Sequence, residues 1–140
     1  MTELLALRGV VEAPPDAVAG VLLDVRPGGR SPLAVTGAVA AAEGDEFTVD
    51  QDGSRITVTV DRAARSVTQQ GEWWYRGVTA VLPDPRGSLV VHRIHNVAPG
   101  HRWAVRFVSR GPLAAAPATF AAHLAALGRE LGVAARVVED

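Results

Sequence analysis

Apolar and polar residues recur along this chain at periods that change twice. Leu4 to Val11 reads as a strand and runs into Ala13-Pro14-Pro15-Asp16, where proline suits the position just ahead of or at a first helical turn. Val18, Val21, Leu22 and Val25 follow at three- and four-residue spacing, which predicts a short helix from Asp16 to about Asp24 with one apolar face. Arg26-Pro27-Gly28-Gly29-Arg30-Ser31-Pro32 ends it in a loop. From Leu33 to Arg110 the pattern becomes short β-rich runs between turn residues, the signature of an antiparallel meander. Turns are predicted at Asp52-Gly53, at Asp84-Pro85-Arg86-Gly87 and at Ala98-Pro99-Gly100. Asp50, Asp52 and Ser54 imitate part of a calcium loop, but Arg55 stands where such a loop needs glycine, so a turn is the better reading. A last helix is expected from Pro117 to Leu131, where Phe120, Leu124, Leu127 and Leu131 form a stripe on an otherwise alanine-rich cylinder.

Side chains alternate between the two faces of a strand, and paired residues share a face, so the two best hairpins test each other. Centring the first turn between Pro85 and Arg86 pairs Val81 with Val90, Thr79 with His92, Gly77 with Ile94 and Tyr75 with Asn96. Centring the next near Pro99 and Gly100 makes a third strand and pairs Asn96 with Trp103, Ile94 with Val105 and His92 with Phe107. One face then carries Trp73, Tyr75, Thr79, His92, Asn96, Trp103 and Phe107 among aliphatic residues. The other carries Arg76, Arg93 and Arg106 in a row, with Arg102 and Arg110 flanking it and Trp74 pointing outward, so the first face is the interior one. That interior is too polar for a dry core, because Tyr75, Thr79, His92 and Asn96 each need a partner. Apolar walls with a few placed polar groups are the composition of a small-molecule cavity.

The candidate ligand-binding residues are therefore Trp73, Tyr75, Thr79, His92, Asn96, Trp103 and Phe107 on the sheet, with Phe120 and His123 on the final helix. His92 is the one acid/base candidate, since an imidazole changes charge near neutrality. Its competing role is that of a hydrogen-bonded interior histidine. Tyr75 and Asn96 either orient a carbonyl or hydroxyl group of a ligand or bond to each other across the strands. His92 and His95 point to opposite faces of one strand, which spoils them as a metal pair; no metal and no cofactor is expected.

Composition narrows the rest. The 140 residues, 48% hydrophobic and 21% charged, fit one globular domain spanning 1–140. The absence of Cys removes disulfides, thiolate metal sites and Cys nucleophiles together. A net charge of −1 gives no general attraction to phosphate, so no nucleic-acid partner is expected. All fourteen basic residues are Arg, which a GC-rich coding bias explains as simply as selection does. No secretory signal and no stretch long enough to span a bilayer is visible, so stable membrane insertion is not expected and a cytoplasmic location is. Nor does a Ser-His-Asp spacing, a phosphate loop or a carboxylate pair stand out.

The order of elements, strand, short helix, meander and C-terminal helix, resembles the helix-grip superfamily of START lipid-transfer domains, polyketide cyclases and the birch-pollen allergen (SRPBCC). The resemblance covers roughly Leu4 to Leu131; Val10-Val11-Glu12-Ala13-Pro14-Pro15-Asp16-Ala17-Val18 with Leu22, Leu23 and Asp24 looks like that family's opening. It implies an α+β fold in which a curved antiparallel sheet wraps a long C-terminal helix over a hydrophobic cavity. Relatives often carry a second short helix where Arg26 to Leu33 is Pro/Gly-rich, a departure that implies an open or small cavity. The superfamily has no shared catalytic motif, so no catalytic residue carries over. Three functions stay open: a binder or carrier of a small hydrophobic or aromatic molecule; a cyclase- or dehydratase-like enzyme using His92; and an interaction module with a closed core, acting through Trp74 and the Arg row. A homodimer is compatible with each.

Overall fold

The computed structural model describes residues 2–51 and 53–139. Strand β1 (Thr2–Val11) leads into helix α1 (Pro15–Leu22), whose N-cap Pro14 is extended and whose first position is the proline that has no N–H to lose. Asp16 in its first turn suits the positive end of the helix dipole, and Val18, Val21 and Leu22 are buried. Residues 24–37 form turns without a second helix. Six strands follow: β2 (Ala38–Glu43), β3 (Glu46–Gln51), β4 (Ser54–Asp61), β5 (Ser66–Gln70), β6 (Tyr75–Asp84) and β7 (Gly87–Asn96). Gly53 turns the β3–β4 hairpin with φ 82°, a conformation that glycine adopts without strain; the calcium-loop position Asp52 lies outside the described residues.

All strands pair antiparallel in one curved sheet of order β2-β3-β4-β5-β6-β7-β1-β8, closed at one edge by a short C-terminal strand, β8 (Ala135–Val138), on β1. The β6–β7 ladder has the register expected from the turn: Tyr75 opposite Asn96, Gly77 opposite Ile94, Thr79 opposite His92 and Val81 opposite Val90. The long helix α3 (Arg110–Leu131) crosses the inner face and buries Phe120, Leu124 and Leu127 there, each worth roughly 1.5–3 kcal/mol of transfer free energy. These meet Val11, Val18, Leu22, Val81 and Val90 in the core. At Gly9 of β1 a side chain would run into Leu124 Cδ1, so the absence of a Cβ is what lets α3 sit so close to the sheet. Gly132 ends the helix in the left-handed conformation. Together these elements make an α+β helix-grip fold, and no described helix is long and apolar enough to cross a membrane.

Two expectations about the elements are corrected. Residues 101–110 do not form a third strand beside β7; Arg102–Val108 is a helix, α2, that runs almost directly into α3. Arg102, Arg106 and Arg110 are spaced by four, as are Trp103 and Phe107, so the segment satisfies the helical period as well as the alternating one, and such a short run cannot be decided by periodicity. Pro112 falls in the first turn of α3. It lacks the N–H that would bond the Val108 carbonyl four residues back, and the helical run breaks at Ser109. Pro117, expected at the first position of the final helix, lies inside it.

Candidate functional site

Phe120, Leu124 and Leu127 fill the space between helix and sheet along the C-terminal half of α3. The N-terminal half presents Pro112, Ala115, Ala116 and Thr119 instead, and these small side chains do not reach the sheet. A cavity of about 320 Å³ remains, bounded on the sheet side by Gln69, Tyr75, His92 and Ile94, on the helix side by those residues with Phe120 and His123, and at one end by Leu33 from the loop after α1. A side void of about 10 Å³, bordered by Thr79, His92 and His123, lies deeper.

His92 sits at the join. Its Nδ1 is 2.7 Å from Thr79 Oγ1, a hydrogen bond made across the β6–β7 pair, and its ring stacks on Phe120 with centroids 6.2 Å apart. Burial, with a smaller repulsion from His123, pushes the imidazole pKa from its ordinary 6.5 down to about 4. Burial likewise lowers the pKa of His123 and raises that of the Tyr75 phenol. All three groups are therefore uncharged at neutral pH, and among the described residues no Asp, Glu or Arg lines this cavity. Tyr75 lays its ring across Gly77, where a Cβ would stand 2.6 Å from the phenol oxygen. Glycine at 77 is what allows the phenol to lie flat against the inner wall.

The structure thus brings together Tyr75, His92, Phe120 and His123, with Thr79 behind His92. It does not bring the other four candidates there. Asn96 is opposite Tyr75 as expected, but its Oδ1 accepts the Ala98 backbone N–H at 2.9 Å and serves the turn out of β7. Trp73 precedes β6 in a loop, where its indole N–H donates to the Gly100 carbonyl at 3.0 Å. Trp103 and Phe107 point away on α2, 70% and 48% exposed, because that segment is a helix and not a strand. Phe120, and not Phe107, is the aromatic neighbour of His92.

Gln69, Leu33 and the small-residue face of α3 were absent from the sequence reading. The first was within reach of it: β5 pairs with β6 so that Gln69 faces Gly77 on the inner side. Its Nε2 donates to the Leu33 carbonyl at 3.1 Å and so ties the loop to the sheet. Beyond Gln69 and Tyr75 lies a second hollow of about 380 Å³ walled by Ile56, Trp73 and Trp74. Trp74 was expected to point outward; it is half-buried, edge-on to Tyr75.

The charged groups elsewhere are mostly answered. On the outer face Arg93 meets Glu3 at 2.7 Å, whereas the buried Nε of Arg76 has no partner among the described residues. The expected row of Arg76, Arg93 and Arg106 across three strands is not formed, since Arg106 belongs to α2. A cleft of about 360 Å³ between α1 and the β3–β4 region has its Arg62 paired with Asp45 at 3.1 Å and its Arg26 stacked on Phe47.

No family model matches the chain, and no curated protein matches it in sequence. Among solved structures it is similar to the KanY protein, at 18% identity and a TM-score of 0.60 over 94% of this chain and 99% of that one. It is also similar to a protein of Nitrosospira multiformis, at 13% identity and 0.58 over 91% and 96%. TTHA0849 from Thermus thermophilus matches at 17% identity and 0.52 over 91% and 97%. At such identities the likeness establishes a shared fold over nearly the whole chain, and that fold is what this protein has in common with them.

Proposed function

We propose that this is a START-like (SRPBCC) protein that binds a small, uncharged hydrophobic or aromatic molecule between the sheet and α3. The observation that carries the reading is the cavity of about 320 Å³, near the lower end of the roughly 300–1,000 Å³ typical of small-molecule sites, with apolar walls and only neutral polar groups. Thr79 occupies His92 Nδ1, which leaves Nε2 for a ligand. The Tyr75 phenol, kept protonated by burial, is a hydrogen-bond donor. A ligand with an apolar body and one or two carbonyl or hydroxyl groups satisfies these.

Binding is favoured over catalysis by the state of His92. With a pKa of about 4, only about one molecule in a thousand carries the imidazolium at pH 7. A general acid works best with a pKa near the working pH, so His92 is better suited to orienting a ligand than to supplying a proton.

The test is native mass spectrometry of the purified protein against its denatured mass, with a fluorescence titration by 8-anilinonaphthalene-1-sulfonate alongside. A reproducible extra mass lost on denaturation, or saturable probe binding, is expected in the wild type. Ala116→Phe, which fills the cavity from the helix side, should abolish both while leaving the circular dichroism spectrum unchanged. Equal binding by the wild type and a folded Ala116→Phe protein would refute the reading, as would a clean apo mass with no probe binding.

A further inference from the structure

Three of the most exposed large apolar side chains among the described residues, Trp103, Phe107 and Val108, belong to the seven-residue helix α2. Trp103 is 70% exposed, far beyond what a scattered surface apolar residue needs to explain it. Arg102 and Arg106 on α2 and Arg110 at the start of α3 follow four residues apart beside these apolar residues. The guanidinium groups of Arg106 and Arg110 lie 4.9 and 5.4 Å from the Phe107 ring centre, so cations and aromatic surface make one patch. Among the described residues no carboxylate pairs with Arg106 or Arg110, although eight other ion pairs are formed elsewhere. The sequence accounts for this: from Pro85 to Arg129 there is no Asp or Glu, while six Arg fall in that stretch of a chain whose net charge is −1.

We propose that this face of α2 docks the protein on the surface of an anionic lipid bilayer, with Trp103 and Phe107 entering the headgroup boundary and Arg106 and Arg110 meeting lipid phosphates. Two physical features select that partner. Tryptophan and phenylalanine beside arginines on one helical face match an interface that is apolar on one side and negatively charged on the other. Nucleic acid would use the cations and leave the bare indole and valine in water. A symmetric contact with a second copy would set the two arginine rows against each other. The attachment is peripheral, without a spanning segment, and it is independent of what the cavity binds. Because the cavity lining begins at Pro112, two residues beyond Arg110, docking would place the start of that lining beside the lipid.

The experiment is cosedimentation of the whole chain with vesicles of phosphatidylcholine alone and with vesicles containing roughly one quarter phosphatidylglycerol. Binding to the anionic vesicles only is expected, weakened by salt and accompanied by a shift of tryptophan emission to shorter wavelength that disappears in Trp103→Ala. Arg106→Gln should weaken vesicle binding about fivefold, and Arg106→Gln with Arg110→Gln correspondingly more. The double variant Trp103→Ala/Phe107→Ala should lower it roughly tenfold or more without altering circular dichroism or probe binding in the cavity. Equal binding to both vesicle types, or to neither, would overturn the proposal. So would anionic-vesicle binding that these folded variants leave unchanged. Duplex-DNA binding or concentration-dependent dimerisation that the double variant removes, with no vesicle binding, would assign the patch to those partners instead.

Discussion

Burial makes His92 a group that the folded protein leaves neutral at acidities where the unfolded chain protonates it. The unfolded imidazole gains its proton near pH 6.5, and the folded one only near pH 4. Above the first value this group contributes no pH dependence. As pH falls between the two, the unfolded state binds more protons, so stability declines, by roughly 3 kcal/mol in all. His123, shifted in the same direction by its own burial, adds to the loss. Urea midpoints at about pH 7.5 and about pH 4.5 measure this. His92→Phe should remove most of the decline, whatever it does to stability at neutral pH; a wild-type slope retained in that variant would show that the proton is taken up elsewhere. The pairing of His92 with Thr79 was legible in the sequence because one turn fixes every register position of a hairpin. The role of Asn96 was not, because its position follows from the same register but its Oδ1 is used locally by Ala98, and a local turn leaves no trace in the alternation of faces.

At the scale of elements, the contact of α3 with β1 leaves no room for a side chain at Gly9. Gly9→Ala puts a methyl group into the Leu124 side chain and should cost about 1–3 kcal/mol. Leu124→Ala alone should cost about 2–5 kcal/mol by leaving a cavity. In the double variant the new methyl occupies vacated space, so thermal or urea unfolding of the four proteins should give a combined loss smaller than the sum. Strict additivity would mean that the two sites do not share this contact. The stripe of Phe120, Leu124 and Leu127 announced this helix from the sequence alone. Its beginning was obscured by Pro117, which reads as a start signal but is accommodated inside the helix as the local loss of one backbone hydrogen bond. Of the helix-side lining, Phe120 and His123 were legible and the small residues were not: alanines at 115 and 116 signal helix propensity, and only the distance to the sheet turns their small size into empty space.

For the whole molecule, the order of elements was sufficient to anticipate a sheet wrapped on a C-terminal helix. The last strand was not anticipated, since four residues after Gly132 carry too little pattern to be read without the edge of β1 that receives them. The two ends of the sheet are unequal. β1, β6 and β7 lie under the helices, whereas β2 is exposed at every position and pairs only with β3. Opening it breaks few apolar contacts, so it should belong to the part of the molecule that opens at the lowest free energy. Hydrogen–deuterium exchange should find the β2 amides exchanging far faster than those of β6 and β7, whose protection should approach that of global unfolding. The contrary result, uniform protection across the sheet, would mean that the strands open as one unit. In a sheet that frays from β2, the walls of the cavity belong to the slowest-exchanging part of the chain, and a ligand held there would be retained through motions that leave the far edge repeatedly open.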